Sequence, residues 1–196
     1  MTTIGISLEI PEPYGSALRA RRASYGDAHA EFVPTHVTLL PPTEVDPEAL
    51  GEIEEHLGNV AAGFAPFTMR LGGTGTFMPI SPVVFVQIAQ GITQCANLEA
   101  KVRSGVLDRE LQFPYHPHVT VAHDLDEHML EFAMQDLADY HAEFDLDRLK
   151  LYEQCSSGSW QVLREFPFGQ EWHPDQLAHD ADDADDGDAD DGDDAA

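Results

Sequence analysis

The sequence predicts an α+β protein built from two similar halves. Three observations carry that expectation. Strand-like and helix-like patterns alternate along the chain in an order that occurs twice, the mark of an internal duplication. A short phrase, His-x-Thr followed by an apolar residue, falls at the same place in both rounds: Thr35-His36-Val37-Thr38-Leu39 and Pro117-His118-Val119-Thr120-Val121. The chain has 196 residues, 42% of them hydrophobic, a length and composition that suit one globular domain or two small ones.

The elements follow from local pattern. Ile4, Ile6, Leu8 and Ile10 alternate with Gly5, Ser7 and Glu9, the period of a half-buried strand. A helix-like stretch follows Pro13 and carries Arg19, Arg21 and Arg22. Thr35 to Leu40 is short and β-branched and reads as a strand closed by Pro41-Pro42. Leu50, Ile53, Leu57 and Val60 recur on one helical face, with Asp46 as N-cap and Pro47 at the first helical position. Phe67, Met69 and Leu71 alternate into Gly72-Gly73 and Gly75, which suggests a bulge.

The second round repeats the order. Val83 to Ala89 is strand-like, and Ile92, Cys95, Leu98 and Val102 form a helical face. Val119 and Val121 flank Thr120 in a short strand; Leu130, Ala133, Met134 and Leu137 form another helical face. Phe144, Leu146, Leu149 and Leu151 read as one strand with an irregular step, and Trp160, Val162 and Phe166 mark a last one. The expected division is a body over 1–170, in halves of about 1–80 and 81–170, and an acidic tail over 171–196. The last eighteen residues, His179 to Ala196, hold ten Asp and no Lys or Arg. They offer nothing apolar to bury, so disorder is expected, either as a solubilising tail or as a decoy for the protein's own basic site.

Charge and cysteine usage exclude several classes. The net charge is −26, and the body stays strongly acidic without its tail. A protein of that sign is repelled by duplex DNA and by anionic membranes, although a local pocket can still hold a small anion. Cys95 and Cys155 stand alone rather than at metal or redox spacing. The N-terminus meets Glu9 before any long apolar run and lacks a basic leader, so a cytoplasmic location is expected. Runs such as Val83 to Val86 are far too short to span a bilayer.

The duplicated phrase carries the chemistry. On a strand, residues i and i+2 face the same way, so His36 points with Thr38 while Val37 and Leu39 face the core. The same holds for His118 and Thr120. If the halves pack with two-fold pseudosymmetry, two imidazoles and two hydroxyls converge. Imidazole titrates near neutrality, so one can take a proton while the other gives one. Hydroxyls donate to an anion's oxygens. Such a set fits in-line displacement at phosphorus without a metal.

These paired phrases, 82 residues apart in a duplicated order, resemble those of the two-histidine (2H) phosphoesterases. Within that superfamily the chain is most similar to the bacterial 2′-5′ RNA ligase-like proteins, which include cyclic nucleotide phosphodiesterases. The resemblance covers roughly residues 3 to 168. It implies a bilobal fold, with two antiparallel-rich sheets, helices outside and a cleft between them. It also implies His36 and His118 as the catalytic pair, His118 as base and His36 as acid, with Thr38 and Thr120 on the phosphate. Some relatives carry a basic residue after the second motif, where this chain has Ala122 and His123.

The expected activity is metal-independent opening of a 2′,3′-cyclic phosphate, or cleavage of a 2′-5′ phosphodiester, on a small nucleotide or RNA end. No cofactor is expected, and the chain is expected to act as a monomer. Two alternatives remain at this point. One is a nucleotide- or RNA-end-binding module without catalysis. The other is a metal-dependent hydrolase using His116, His118 and His123. Phe77, Phe113 and Tyr115 are candidates for stacking on a base, or else core aromatics. Arg70 and Arg164 are candidate cleft cations, or else members of surface ion pairs.

Overall fold

The computed structural model describes residues 1–173. Within them the order is β1 (Thr2–Glu9), α1 (Tyr14–Ser24), β2 (His36–Val45), α2 (Leu50–Ala62), β3 (Phe67–Thr76), β4 (Val83–Gln90), α3 (Ile92–Val102), β5 (His118–His123), α4 (Glu127–Asp136), β6 (His141–Leu146), β7 (Arg148–Gln154) and β8 (Trp160–Pro167). The twice-repeated order of strand, helix, strand, helix, strand is present as β1 to β3 and β4 to β6. Two further strands follow.

The strands form one antiparallel sheet in the order β6-β3-β4-β5-β2-β1-β7-β8. At its centre β2 and β5 meet through a single paired position, Val37 with Val119. That thin junction divides the sheet into two four-stranded lobes, so the two expected sheets are the two sides of one. The halves of the sequence interleave in these lobes. β3, from the first half, pairs with β4 and β6, whereas β7 and β8, from the second, extend β1. The irregular step expected within one strand over Phe144 to Leu151 is in fact the crossing from β6 to β7. Asp147 alone separates them, and they lie on opposite lobes.

Local chemistry explains most boundaries. Asp46 accepts a hydrogen bond from the Glu48 amide at 3.0 Å and caps a 3-10 turn, Pro47–Ala49, that runs into α2. Ile53, Leu57 and Ala61 then form the buried face of α2. Ile53 and Leu57 each contribute about 1.5–3 kcal/mol by leaving water, and the single methyl of Ala61 less. β3 continues through its glycines, with a register shift between Leu71 and Thr74. Gly73 sits there at φ +72°, a left-handed conformation that glycine adopts without steric cost. Pro41-Pro42 do not close β2, which runs on to Val45. The pairing with β1 steps from Ile6–Leu40 to Ile4–Thr43. Both prolines therefore sit in a bulge, where they break no ladder bond.

Two other expectations change. Ile92 opens α3 and is 49% exposed, while Cys95, Leu98 and Val102 are buried. Trp172 packs on the core, with its ring centroid 6.4 Å from that of Phe166, so packing continues past the expected boundary at 170. The acidic tail, from 174 onward, lies outside the described residues. No helix among the described residues is long and apolar enough to cross a membrane.

Candidate active site

The junction of β2 and β5 places both His-x-Thr phrases side by side. Val37 and Val119 are fully buried behind it. Because the strands run antiparallel through that one pair, His36 stands across from Thr120 and Thr38 across from His118. Residues two apart on a strand are separated by about 7 Å, and cross-strand partners by about 5 Å. The four residues thus stand at the corners of one backbone frame, on the same face of the sheet. All four line one cleft of about 400 Å³.

The two imidazoles are held in the same way. His36 Nδ1 donates to the Pro34 carbonyl at 2.6 Å, and His118 Nδ1 donates to the His116 carbonyl at 2.7 Å. A carbonyl can only accept, so each bond places the ring proton on Nδ1 and leaves Nε2 to the cleft. His36 Nε2 lies 3.1 Å from the Thr38 hydroxyl. Burial pulls both pKa values below the ordinary imidazole range. The carbonyl bond opposes this in each ring. Around His36, Arg22 lowers the value further and Glu9 raises it. Around His118, both His116 and His36 lower it. Phe77 meets the His118 ring edge-on, with centroids 4.8 Å apart at 88°, and Phe85 lies at 5.2 Å.

The other candidates divide. Phe77 is a packing partner of His116 and His118 rather than a lining residue. Tyr115 is partly buried, and its hydroxyl donates to the Thr38 carbonyl at 2.9 Å. It braces the motif strand from behind instead of stacking on a base. Phe113 is 57% exposed and does not line the cleft. Arg70 pairs with Glu143 on the exposed face of the outer strands β3 and β6. Arg164 pairs with Glu54 of α2 at 3.1 Å. Plain alternation would set Arg164 beside Trp160 and Val162, but a bulge at Leu163 puts it opposite Leu151, on the helix side. Neither arginine is a cleft cation.

The cleft holds residues that the sequence did not single out as site residues. Arg22 reaches it from α1, His29 from a 3-10 turn (Ala28–Glu31), and Trp160 and Tyr152 from β8 and β7. Arg22 lies four residues after Leu18 on the buried face of α1, and that helical spacing was the available signal. His123 also lines the cleft. A register shift in β5 between Thr120 and Ala122 turns it to the face of His118. The rings of His29 and His123 lie tilted against each other, with centroids 5.9 Å apart. Among the described residues no Asp or Glu lines the cleft, and Arg22 is the one Lys or Arg that does. Among the described residues no group of three or more His, Cys, Asp or Glu is arranged to hold a metal ion.

Comparison with known proteins places this geometry. A family model, the 2′-5′ RNA ligase superfamily, matches residues 10–157. A protein of Bacillus mycoides, provisionally named a phosphoesterase, is 30% identical over 147 residues, 74% of this chain and 85% of the relative. A similarly named Bacillus cereus protein is 30% identical over 146 residues, 74% of this chain and 84% of the relative. The crystal structure of Escherichia coli LigT in apo form superimposes with a TM-score of 0.63 at 18% identity, over 86% of this chain and 98% of that one. LigT has also been crystallised with phosphate and with 3′-AMP. The chain belongs to the 2′-5′ RNA ligase superfamily, with the fold of the 2H phosphoesterases.

Proposed function

We propose that the protein is a metal-independent phosphoesterase that opens a 2′,3′-cyclic phosphate, or cleaves a 2′-5′ phosphodiester, on a nucleotide or RNA end. The observation that carries this reading is the pair of equivalent imidazoles, each fixed through Nδ1 to a backbone carbonyl with Nε2 left for the cleft, where that of His36 meets the Thr38 hydroxyl at 3.1 Å. Among the described residues no carboxylate lines the cleft, in a protein of net charge −26, which suits an anionic substrate. Phosphate and 3′-AMP in crystals of LigT, which shares the fold, agree with a nucleotide phosphate as ligand.

In this reading His118 Nε2 takes a proton from water as the water attacks phosphorus, and His36 Nε2 delivers a proton to the departing ribose oxygen. Thr38 and Thr120 hydroxyls donate to the non-bridging oxygens. Burial disfavours the charged form of both rings; beside His36, Arg22 also opposes it and Glu9 favours it, while no carboxylate favours it for His118. Opposite protonation states at the start require a bell-shaped dependence of turnover on pH. The test is a screen of 2′,3′-cyclic nucleotides and 2′-5′-linked dinucleotides with chelator present. Turnover that survives chelator supports the proposal. Turnover abolished by chelator points to a metal hydrolase, and binding without turnover to a recognition module.

A further inference from the structure

Arg22 is an unusual residue for an exposed-helix sequence. It is 8% exposed and lies in the last turn of α1, where a cation complements the helix dipole. Its Nε donates to Asp27 Oδ2 at 2.7 Å. Asp27 is itself buried, and its other oxygen accepts from the His29 amide at 2.9 Å. The guanidinium carries five N–H donors in a planar fork. Only the Nε donor is engaged by another described residue, which leaves the Nη1 and Nη2 donors at the wall of the cleft that also holds His36, Thr38, His118 and Thr120. Burying a guanidinium is costly unless its donors are met. Here one donor is met by protein, and the residue lines a cleft of about 400 Å³.

We propose that Arg22 binds the phosphate of the substrate through its Nη donors, as the charged member of the clamp that Thr38 and Thr120 complete. The proposal rests on the phosphoesterase reading and assigns that site its cation. The position after the second motif offers only Ala122 and His123. The positive charge comes instead from α1, which packs against β5. Asp27 holds the fork in orientation and partly offsets its charge, so a phosphate completes the site without leaving an uncompensated cation in its absence. A fork matched to two oxygens favours tetrahedral oxyanions over monovalent halides.

The probe is inorganic phosphate, titrated calorimetrically into the full chain, with chloride as the control. Wild type should bind phosphate in preference to chloride. Arg22→Gln/Asp27→Asn keeps a hydrogen-bonded amide pair in place of the ion pair and so avoids stranding a buried carboxylate. Its phosphate affinity should fall on the order of 10-fold or more, the effect of losing a charged hydrogen bond. Arg22→Lys keeps the charge without the fork and should fall between the two. If the double variant does not fold, the Arg22 side-chain nitrogen resonances of wild type carry the test: they should shift saturably with phosphate. Phosphate affinity within two-fold of wild type in the folded double variant, resonances indifferent to phosphate, or no binding by wild type would each overturn the assignment. Failure of the phosphoesterase reading is distinct, because it appears as absent turnover while Arg22-dependent phosphate binding persists.

Discussion

Gly75 offers a way to move His118 without touching it. It lies in β3 directly across from Phe85 in β4. A methyl group there would stand 2.7 Å from both Cε2 and Cζ of the Phe85 ring. Carbon atoms settle at about 3.5–4.0 Å, so the ring must retreat by about 1 Å. It cannot do so freely. Its centroid lies 4.6 Å from Phe77, 5.4 Å from His116 and 5.2 Å from His118. Overpacking of this kind costs about 1–3 kcal/mol, which the fold can absorb. A catalytic group displaced by about 1 Å costs on the order of 10²-fold in turnover. Gly75→Ala should therefore lose about that factor in kcat on a 2′,3′-cyclic nucleotide and remain folded by thermal unfolding. Phe85→Leu removes the ring atoms the methyl would meet. In the double variant the two losses should be smaller than their product, a coupling expected of residues in contact. Wild-type kcat in Gly75→Ala, or strictly multiplicative losses in the double variant, would refute the transmission from Gly75 through Phe85 to His118.

Three further outcomes are expected. His36→Ala and His118→Ala should each lower turnover on the order of 10²–10⁴-fold. A substrate whose leaving group needs no proton should rescue His36→Ala but leave His118→Ala inactive; rescue of the opposite variant reverses the two roles. Thr38→Val and Thr120→Val should each cost about 1.5–3 kcal/mol of binding to a charged oxygen, roughly 10–150-fold in kcat/KM, and losses below two-fold would remove the hydroxyls from the clamp. Burial holds both motif imidazoles below the ordinary value of 6.5. Above that value they are neutral folded and unfolded, and as pH falls through it the unfolded chain takes up protons first. The melting temperature of wild type relative to His36→Gln/His118→Gln should thus decline from pH 7 to 5, and parallel curves would show that these imidazoles are not held neutral.

The frame of the two His-x-Thr phrases was legible because it depends on local geometry. His36 with Thr38, and His118 with Thr120, share a face through strand alternation alone, and the motif valines behind them are buried as that alternation requires. Helical spacing likewise set the inner faces of α2 and α4. What escaped depends on register and on distant partners. One extra residue at Leu163 carries Arg164 to the helix side, and one in β5 carries His123 into the cleft. The prolines at 41 and 42 looked like a stop because a bulge opposite Gly5 leaves no mark in the sequence. Arg22 was hidden by its neighbours, since Arg19 and Arg21 make the helix look uniformly solvated. Tyr115 took its role from an acceptor 77 residues away.

The interleaved strand order constrains how the molecule can come apart. A fragment ending after β3 would strand that element without β4 and β6, exposing two bare edges of backbone donors and acceptors. The complementary fragment would carry β7 and β8 with no β1 to receive them. Neither piece is a free-standing domain, yet each holds the missing strand of the other. Cut in the Phe77–Pro82 connection, the two pieces should be unstable when made alone and reassemble when made together. Each would recover its edge from its counterpart, and a working cleft would report their reunion.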